Sequence, residues 1–295
     1  MAYIKKKFFH KSKIKVFKFL MEEFDITLKE AQRWMDKGRV FVKGKPVVKK
    51  AMSFKGKIEV VVFETTSKDL KPVFETDDFV IFDKPSGVLV HPQNRHTTYS
   101  ITHEVKHKYG KYANITHRLD KETSGLLLCS KHKQAERDIK QLFEDRKIQK
   151  SYLAVVKGNF TKKVIVEKPI SRNHDFDEIK LKVYIDEKDG KPSKTIFEPI
   201  KYDKETDTTL VRAIPLTGRQ HQIRIHLYSL GFPILGDPLY GVDFETSEKY
   251  LNQKLSQDER TKLTGAKRLM LHAHSLEFKY KNRFIIISPT KLSLN

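Results

Sequence analysis

The chain has a single cysteine, Cys129, and a single tryptophan in 295 residues. One thiol permits neither an intrachain disulfide nor a thiolate metal cluster. Set in the apolar run Leu126 to Cys129, it reads as a small buried hydrophobe and suits a reducing compartment, so a cytoplasmic location is expected. Long apolar runs are also lacking. None approaches the roughly 18 residues of a membrane span, so no membrane partner is expected. Met1 to Lys15 is basic, but no apolar stretch follows before Glu22, and no secretory signal is read there. There is no GxGxxG, and Gly190-Lys191-Pro192-Ser193 is no phosphate loop, because the upstream glycine is missing and Pro192 breaks the pattern. His96, His103 and His107 have no cysteine or carboxylate to complete a metal set, and neither do His272 and His274. The expectation is therefore no metal and no cofactor. Finally, acidic residues are scarce: 37 Asp and Glu face 58 Lys and Arg, a net charge of +21. Such an excess calls for a polyanionic partner, and nucleic acid is the partner expected.

The charge is unevenly spread. Residues 1–67 hold 17 Lys and Arg against 7 Asp and Glu, a surplus of +10. Val16, Phe17, Phe19, Leu20 and Phe24 recur at helical spacing. A second short helix carries Ala31, Trp34 and Met35, with Thr27 as N-cap, Glu30 completing a capping box and Gly38 closing the end. Val40 to Val48 reads as a hairpin and Ile58 to Phe63 as a strand. Residues 68–72, charged and without periodicity, read as a linker to a second domain over 73–295.

In that second region Phe79 to Phe82 is a strand that ends in the turn Asp83-Lys84-Pro85-Ser86-Gly87, after which Val88 to Val90 resumes extended structure. Ser100 caps a helix through Ile101, Val105 and Tyr109. The polar turn around Asp120 opens into the buried strand Leu126 to Cys129. Ala135, Ile139, Leu142 and Phe143 form the apolar stripe of a helix. Strands follow at Ser151 to Val156, Thr195 to Phe197 and Leu210 to Leu216. Residues 167–194 read as a hairpin or surface excursion. Gln222 to Leu227 fits a strand or a helix equally; a helix would put Arg224 on one face with Gln220, His221 and Leu227. Phe244 to Thr264 reads as a polar helical insertion, and Leu269 to Leu276 and Phe284 to Ile287 as closing strands.

His117-Arg118-Leu119-Asp120-Lys121-Glu122-Thr123-Ser124-Gly125 and the three leucines after it resemble the catalytic motif of the RluA family of pseudouridine synthases. So, in the family's order, do Asp83 to Gly87, Lys150-Ser151-Tyr152-Leu153-Ala154, Leu216 to His226 and Gly231 to Asp237. The resemblance spans Val73 to Pro289. It implies an α+β catalytic domain with a mixed, mainly antiparallel sheet flanked by helices. The helices and hairpin of residues 1–67 are similar to the S4 RNA-binding domain, a small α/β module, although Lys15-Val16-Phe17 stands where its first helix usually opens on arginine.

The resemblance makes Asp120 the essential catalytic carboxylate. An acid in a partly dry pocket stays ionised only beside a cation, and Arg224 is the expected one, permanently charged and able to bond bidentately. Tyr152 is the expected active-site tyrosine, stacking on uracil or moving a proton at C5. Arg118, His117, Lys84, Arg219 and Gln222 are expected at the RNA, joined on the S4-like module by Arg33, Lys37, Arg39 and Lys43 at phosphates. The reading is a monomeric RNA pseudouridine synthase acting on large-subunit ribosomal RNA. The alternatives are a transfer-RNA synthase of the same family and a non-catalytic RNA-binding or ribosome-assembly factor.

Overall fold

A computed structural model describes residues 3–94, 97–172, 179 and 181–292; His96 lies outside them. Contacts group the chain into two units, Met1–Thr66 with Pro92–Tyr99, and Ser67–His91 with Ser100–Asn295.

The first unit runs β1 (Tyr3–Lys15), α1 (Val16–Phe24), α2 (Leu28–Asp36), β2 (Val40–Val42), β3 (Lys45–Pro46) and β4 (Ser53–Phe63). Thr27 caps α2 with the reciprocal Glu30 bonds of a capping box. The strands form one sheet in the order β1-β4-β2-β3. Its inner face, with Val40, Val42, Ile58, Val60 and Val62, packs on Val16, Phe19 and Leu20 of α1 and Ala31 and Met35 of α2. The 13-residue β1 has no counterpart in the sequence reading. Lysines crowd both faces of it, so only Ile4, Phe8 and Ile14 mark its inner side. Pairing with β4, from Tyr3 opposite Phe63 to Lys15 opposite Ser53, reveals the strand.

The second unit runs β5 (Pro72–Glu75), β6 (Phe79–Lys84), α3 (Ile101–Tyr109), β7 (Asn114–Ile115), β8 (Ser124–Ser130), α4 (Lys133–Glu144), β9 (Gln149–Lys157), β10 (Val164–Val166), β11 (Ile170–Ser171), β12 (Tyr184–Ile185), β13 (Thr195–Asp203), β14 (Thr208–Pro215), α5 (Gln222–Ser229), α6 (Phe244–Leu251), α7 (Gln257–Thr264), β15 (Leu271–Tyr280) and β16 (Asn282–Ile287). The main sheet has the order β10-β13-β14-β9-β15-β8-β6-β5, with β16 on β15 and β7 on β8. Its pairings are antiparallel except β15 with β8, giving the mixed, mainly antiparallel sheet that was expected. Every residue of β8 is buried. Its alternate residues point to opposite faces: Leu127 and Cys129 pack with Ile101 and Val105 of α3, Leu126 and Leu128 with Ala135 and Ile139 of α4.

Where β8 passes β15, a side chain on Gly125 would place its Cβ 2.3 Å from the Ala273 carbonyl oxygen, and Gly125 has φ +111°. Only glycine fits both demands. Val88 to Val90 is no strand. The Leu89 and Val90 carbonyls instead accept the first N–H groups of α3, from Ile101 and Thr102. Ser100 is the N-cap residue, but its hydroxyl meets His103 Nδ1 at 2.7 Å and makes no backbone cap bond. Residues 68–70 lie against the second unit, where buried Glu104 accepts from the N–H groups of Lys68 and Leu70. The described part of 167–194 contains the two-stranded β11–β12 sheet.

Candidate active site

Asp120 sits in the turn between β7 and β8, at the edge of a pocket of about 1030 Å³. Arg118, Tyr152, Arg219, His221 and Arg224 line the same pocket. Gln222 to Leu227 proves helical, so Arg224, on the first turn of α5, points inward and is 3% exposed. Its Nη1 lies 3.7 Å from Asp120 Oδ2. The pairing of Asp120 with Arg224 is thus present, but the bidentate contact belongs elsewhere. Arg224 Nε and Nη2 each donate at 2.7 Å to the two oxygens of Asp237. Asp237, 1% exposed, also accepts the N–H groups of Leu239 and Tyr240. Burial would lower the pKa of Arg224, but the Asp237 and Asp120 carboxylates reverse this and raise it above its ordinary value. The guanidinium is therefore a fixed positive charge, gripped from behind and offering one edge to Asp120.

His221 stands at the N-cap of α5 with φ +52°. One ring nitrogen, Nε2, lies 3.8 Å from Asp120 Oδ2, and Nδ1 lies 3.1 Å from the Tyr240 hydroxyl. Burial, with the neighbouring Arg224 charge, lowers its pKa to about 4, so at neutral pH it is an uncharged polar group beside the acid. Tyr152, on β9, pairs with Ala213 of β14 and Ala273 of β15. Its small neighbours leave room for the ring. Burial and the Asp120 carboxylate raise its phenol pKa, so it remains a proton donor at neutral pH.

Three residues expected at RNA turn out to build the pocket's frame. Lys84 is fully buried, and its ammonium donates to the carbonyls of Pro85, Val88 and Lys121. That saturates its three N–H bonds and fastens the turn after β6 to the Asp120 loop. Burial lowers its pKa to about 7 against the opposing carboxylates of Glu122, Asp120 and Asp83. Gln222 is 4% exposed; its oxygen accepts from Thr217 Oγ1 and the Arg219 N–H, while its nitrogen donates to Lys194 O and Thr195 Oγ1. His117 lines the pocket, but its Nε2 accepts the Leu128 N–H at 3.0 Å and its ring lies 4.5 Å from that of Phe143. Burial lowers its pKa to about 3, and it buttresses the Asp120 loop as a neutral group. Arg118 and Arg219 are exposed, with one Arg219 N–H donated to Pro192 O. In the first unit, Arg33, Lys37 and Lys43 are exposed. Arg39 is not free in the same way: it donates to Val61 O and lies 4.0 Å over the Trp34 ring.

The sequence reading missed Asp237, His221, Tyr240, Glu122 and Arg260 as members of this region. Arg260 projects from α7, within the stretch read only as a polar insertion. Its Nη2 donates at 2.8 Å both to Glu122 Oε2, two residues past Asp120, and to the Gly236 carbonyl, next to Asp237. Tyr250 of α6 also donates to Glu122. The usable signal was Arg224 itself, since a buried guanidinium requires a buried carboxylate.

A partly buried acid thus stands beside a caged arginine and a neutral tyrosine in one pocket. The family described as RNA pseudouridylate synthase matches residues 78–229. An uncharacterized RNA pseudouridine synthase of Helicobacter pylori is 39% identical over 265 residues, 89% of this chain and 87% of its own. The ribosomal large subunit pseudouridine synthase D of Nitrosomonas europaea is 39% identical over 177 residues, 58% of this chain and 50% of its own. The mitochondrial tRNA pseudouridine(32) synthase of Saccharomyces cerevisiae is 40% identical over 179 residues, 60% and 38%. Among solved structures, human RNA pseudouridylate synthase domain containing 1 superposes with TM-score 0.60 at 26% identity, covering 77% of this chain and 86% of that one. The chain belongs to the RNA pseudouridylate synthase family, in its RluA-type branch, and is an enzyme.

Proposed function

We propose that this enzyme converts specific uridines of large-subunit ribosomal RNA to pseudouridine, with Asp120 as the essential carboxylate. The observation that carries the reading is Asp120, at the pocket edge with Arg224 Nη1 3.7 Å away. The reaction breaks the N1–C1′ bond, turns the uracil and rejoins it through C5; a proton leaves C5 and one is gained at N1. No electrons are exchanged with a partner. Asp120 acts on the ribose, either attacking C1′ or taking the 2′ proton. Arg224, itself held by Asp237, sets a fixed positive charge 3.7 Å from it. Tyr152 offers its ring to the uracil face and its hydroxyl to the proton transfer at C5. The target base must leave its stack, at roughly a few kcal/mol. Arg118 and Arg219, exposed and lining the same pocket, hold the flanking phosphates. The first unit serves as an S4-like RNA-binding module through Arg33, Lys37 and Lys43.

The yeast relative supports transfer RNA as a second substrate class. A pseudouridine map decides between them. Ribosomal and transfer RNA would be compared from cells lacking the protein and from cells given back wild type or Asp120→Ala. Ribosomal sites that vanish and return only with wild type are the expected result. Loss confined to transfer RNA would replace the substrate, and rescue by Asp120→Ala would remove the mechanism.

A further inference from the structure

The sheet of the first unit has two faces. One carries the core. The other carries Lys5, Lys7 and Phe9 of β1, and opposite them in register Val61, Glu59 and Lys57 of β4. Phe41 of β2 pairs with Glu59 and so shares this face. The face is therefore basic and aromatic, without the helices that cover its reverse.

Phe9 is 68% exposed. A fully core-bound role for its ring is excluded by register, because Phe8 takes the inward position against Phe19 and Phe24. Gly56, opposite His10, lies beside the Phe9 ring: a Cβ there would come within 3.9 Å of it. The cations around it are of two kinds. Lys5 is committed, pairing with Glu59 at 3.3 Å and lying 4.1 Å over the Phe41 ring. Lys7, Lys55 and Lys57 are exposed and have no carboxylate partner among the described residues. Leaving an aromatic ring this exposed costs apolar burial that an inward position would recover, while a flat π-face ringed by free lysines matches what single-stranded nucleic acid presents, stacked bases on a phosphate chain.

We propose that this outward face, centred on Phe9 and flanked by Lys7, Lys55 and Lys57, is a platform for a single-stranded segment of RNA. A base stacks on the Phe9 ring and the lysines follow the phosphates, as on other four-stranded sheets that read RNA through aromatic residues. The platform is separate from the exposed Arg33, Lys37 and Lys43 on and after α2, and it recognises no sequence of its own. It rests on the reading that this enzyme acts on RNA.

The test uses the full chain and a fluorescent adenosine oligomer of about ten nucleotides. It contains no uridine, so it reports on the platform and not on turnover. Phe9→Ala is expected to weaken binding about ten-fold. Lys7→Ala with Lys57→Ala is expected to lower the slope of log affinity against log salt by about 1.4. Unchanged circular dichroism confirms folding, since all three side chains are exposed. Pseudouridine formation on a uridine-containing RNA is measured in parallel. Loss of oligomer affinity in the variants upholds the platform even if the wild type forms no pseudouridine, an outcome that would sink the catalytic reading alone. Wild-type affinity in both variants overturns the platform, as does binding to phosphatidylglycerol vesicles in preference to the oligomer.

Discussion

The two units use the same residue types in opposite ways. In the first, lysines stand on an open sheet and around a short hairpin, mostly without partners. In the second, the decisive cations are inside. Arg224 is locked to Asp237, Arg260 ties Glu122 to Gly236, and Lys84 spends every N–H on carbonyl oxygens. An exposed lysine attracts a polyanion from any direction and tolerates many poses. A buried arginine costs desolvation and returns a charge fixed to a fraction of an ångström. The first kind suits a loose grip on a polyanion, and the second suits a charge held at one fixed point in a pocket.

The sharpest way to separate them is Asp120→Asn. We expect turnover to fall by about 10⁴-fold in a C5-tritium release assay, with RNA affinity within a few-fold of wild type. An equal loss of binding would erase the division of labour. Next comes Asp237→Ala, which strands Arg224 in the interior. Stability should drop by about 3–5 kcal/mol in urea unfolding, and a loss under about 1 kcal/mol would show that Asp120 alone suffices as counter-charge.

A third prediction concerns the buried neutral groups. His221, His226 and His272 have pKa values lowered to about 4, chiefly by burial, and His117 to about 3. The unfolded chain takes up these protons near the ordinary value of about 6.5. The native state takes them up only lower, so stability is complete above about pH 6.5 and declines as pH falls toward 4. Each histidine adds at most about 1.4 kcal/mol per pH unit to that slope. A flat stability profile from pH 7 to 5 would contradict the packing described. The smallest effect is expected in the first unit. Lys37→Ala should weaken RNA binding by about two- to three-fold, uniformly across sequences and without changing kcat. A sequence-dependent loss would make Lys37 a base reader.

Much of this architecture was readable in the chain. The capping box of α2, the buried strand through Leu126 to Cys129 and the stripe of α4 each rest on a local pattern. So did the proximity of Asp120 and Arg224, through motif resemblance. Other features depend on partners distant in sequence. Strand β1 has too many lysines to show alternation, and only its ladder with β4 defines it. The roles of Lys84 and Gln222 were reversed because polarity suggests exposure, whereas each meets enough carbonyls, hydroxyls or N–H groups to be satisfied inside. Asp237 was hidden in a turn where aspartate is commonplace.

The parallel pairing of β8 with β15, alone of its kind among the described residues, has a consequence in time. Ser124, four residues beyond Asp120, meets His272 Nδ1 across 148 positions, and the His272 ring continues to Ser288 and from there to Asp83. Chains emerge from the ribosome N-terminal end first. Throughout most of synthesis, the loop bearing Asp120 lacks the strand that braces its exit. The first unit, whose residues end at Tyr99, is made long before. The first unit can therefore fold before the Asp120 loop is fully braced, and β15, made much later, is what braces it.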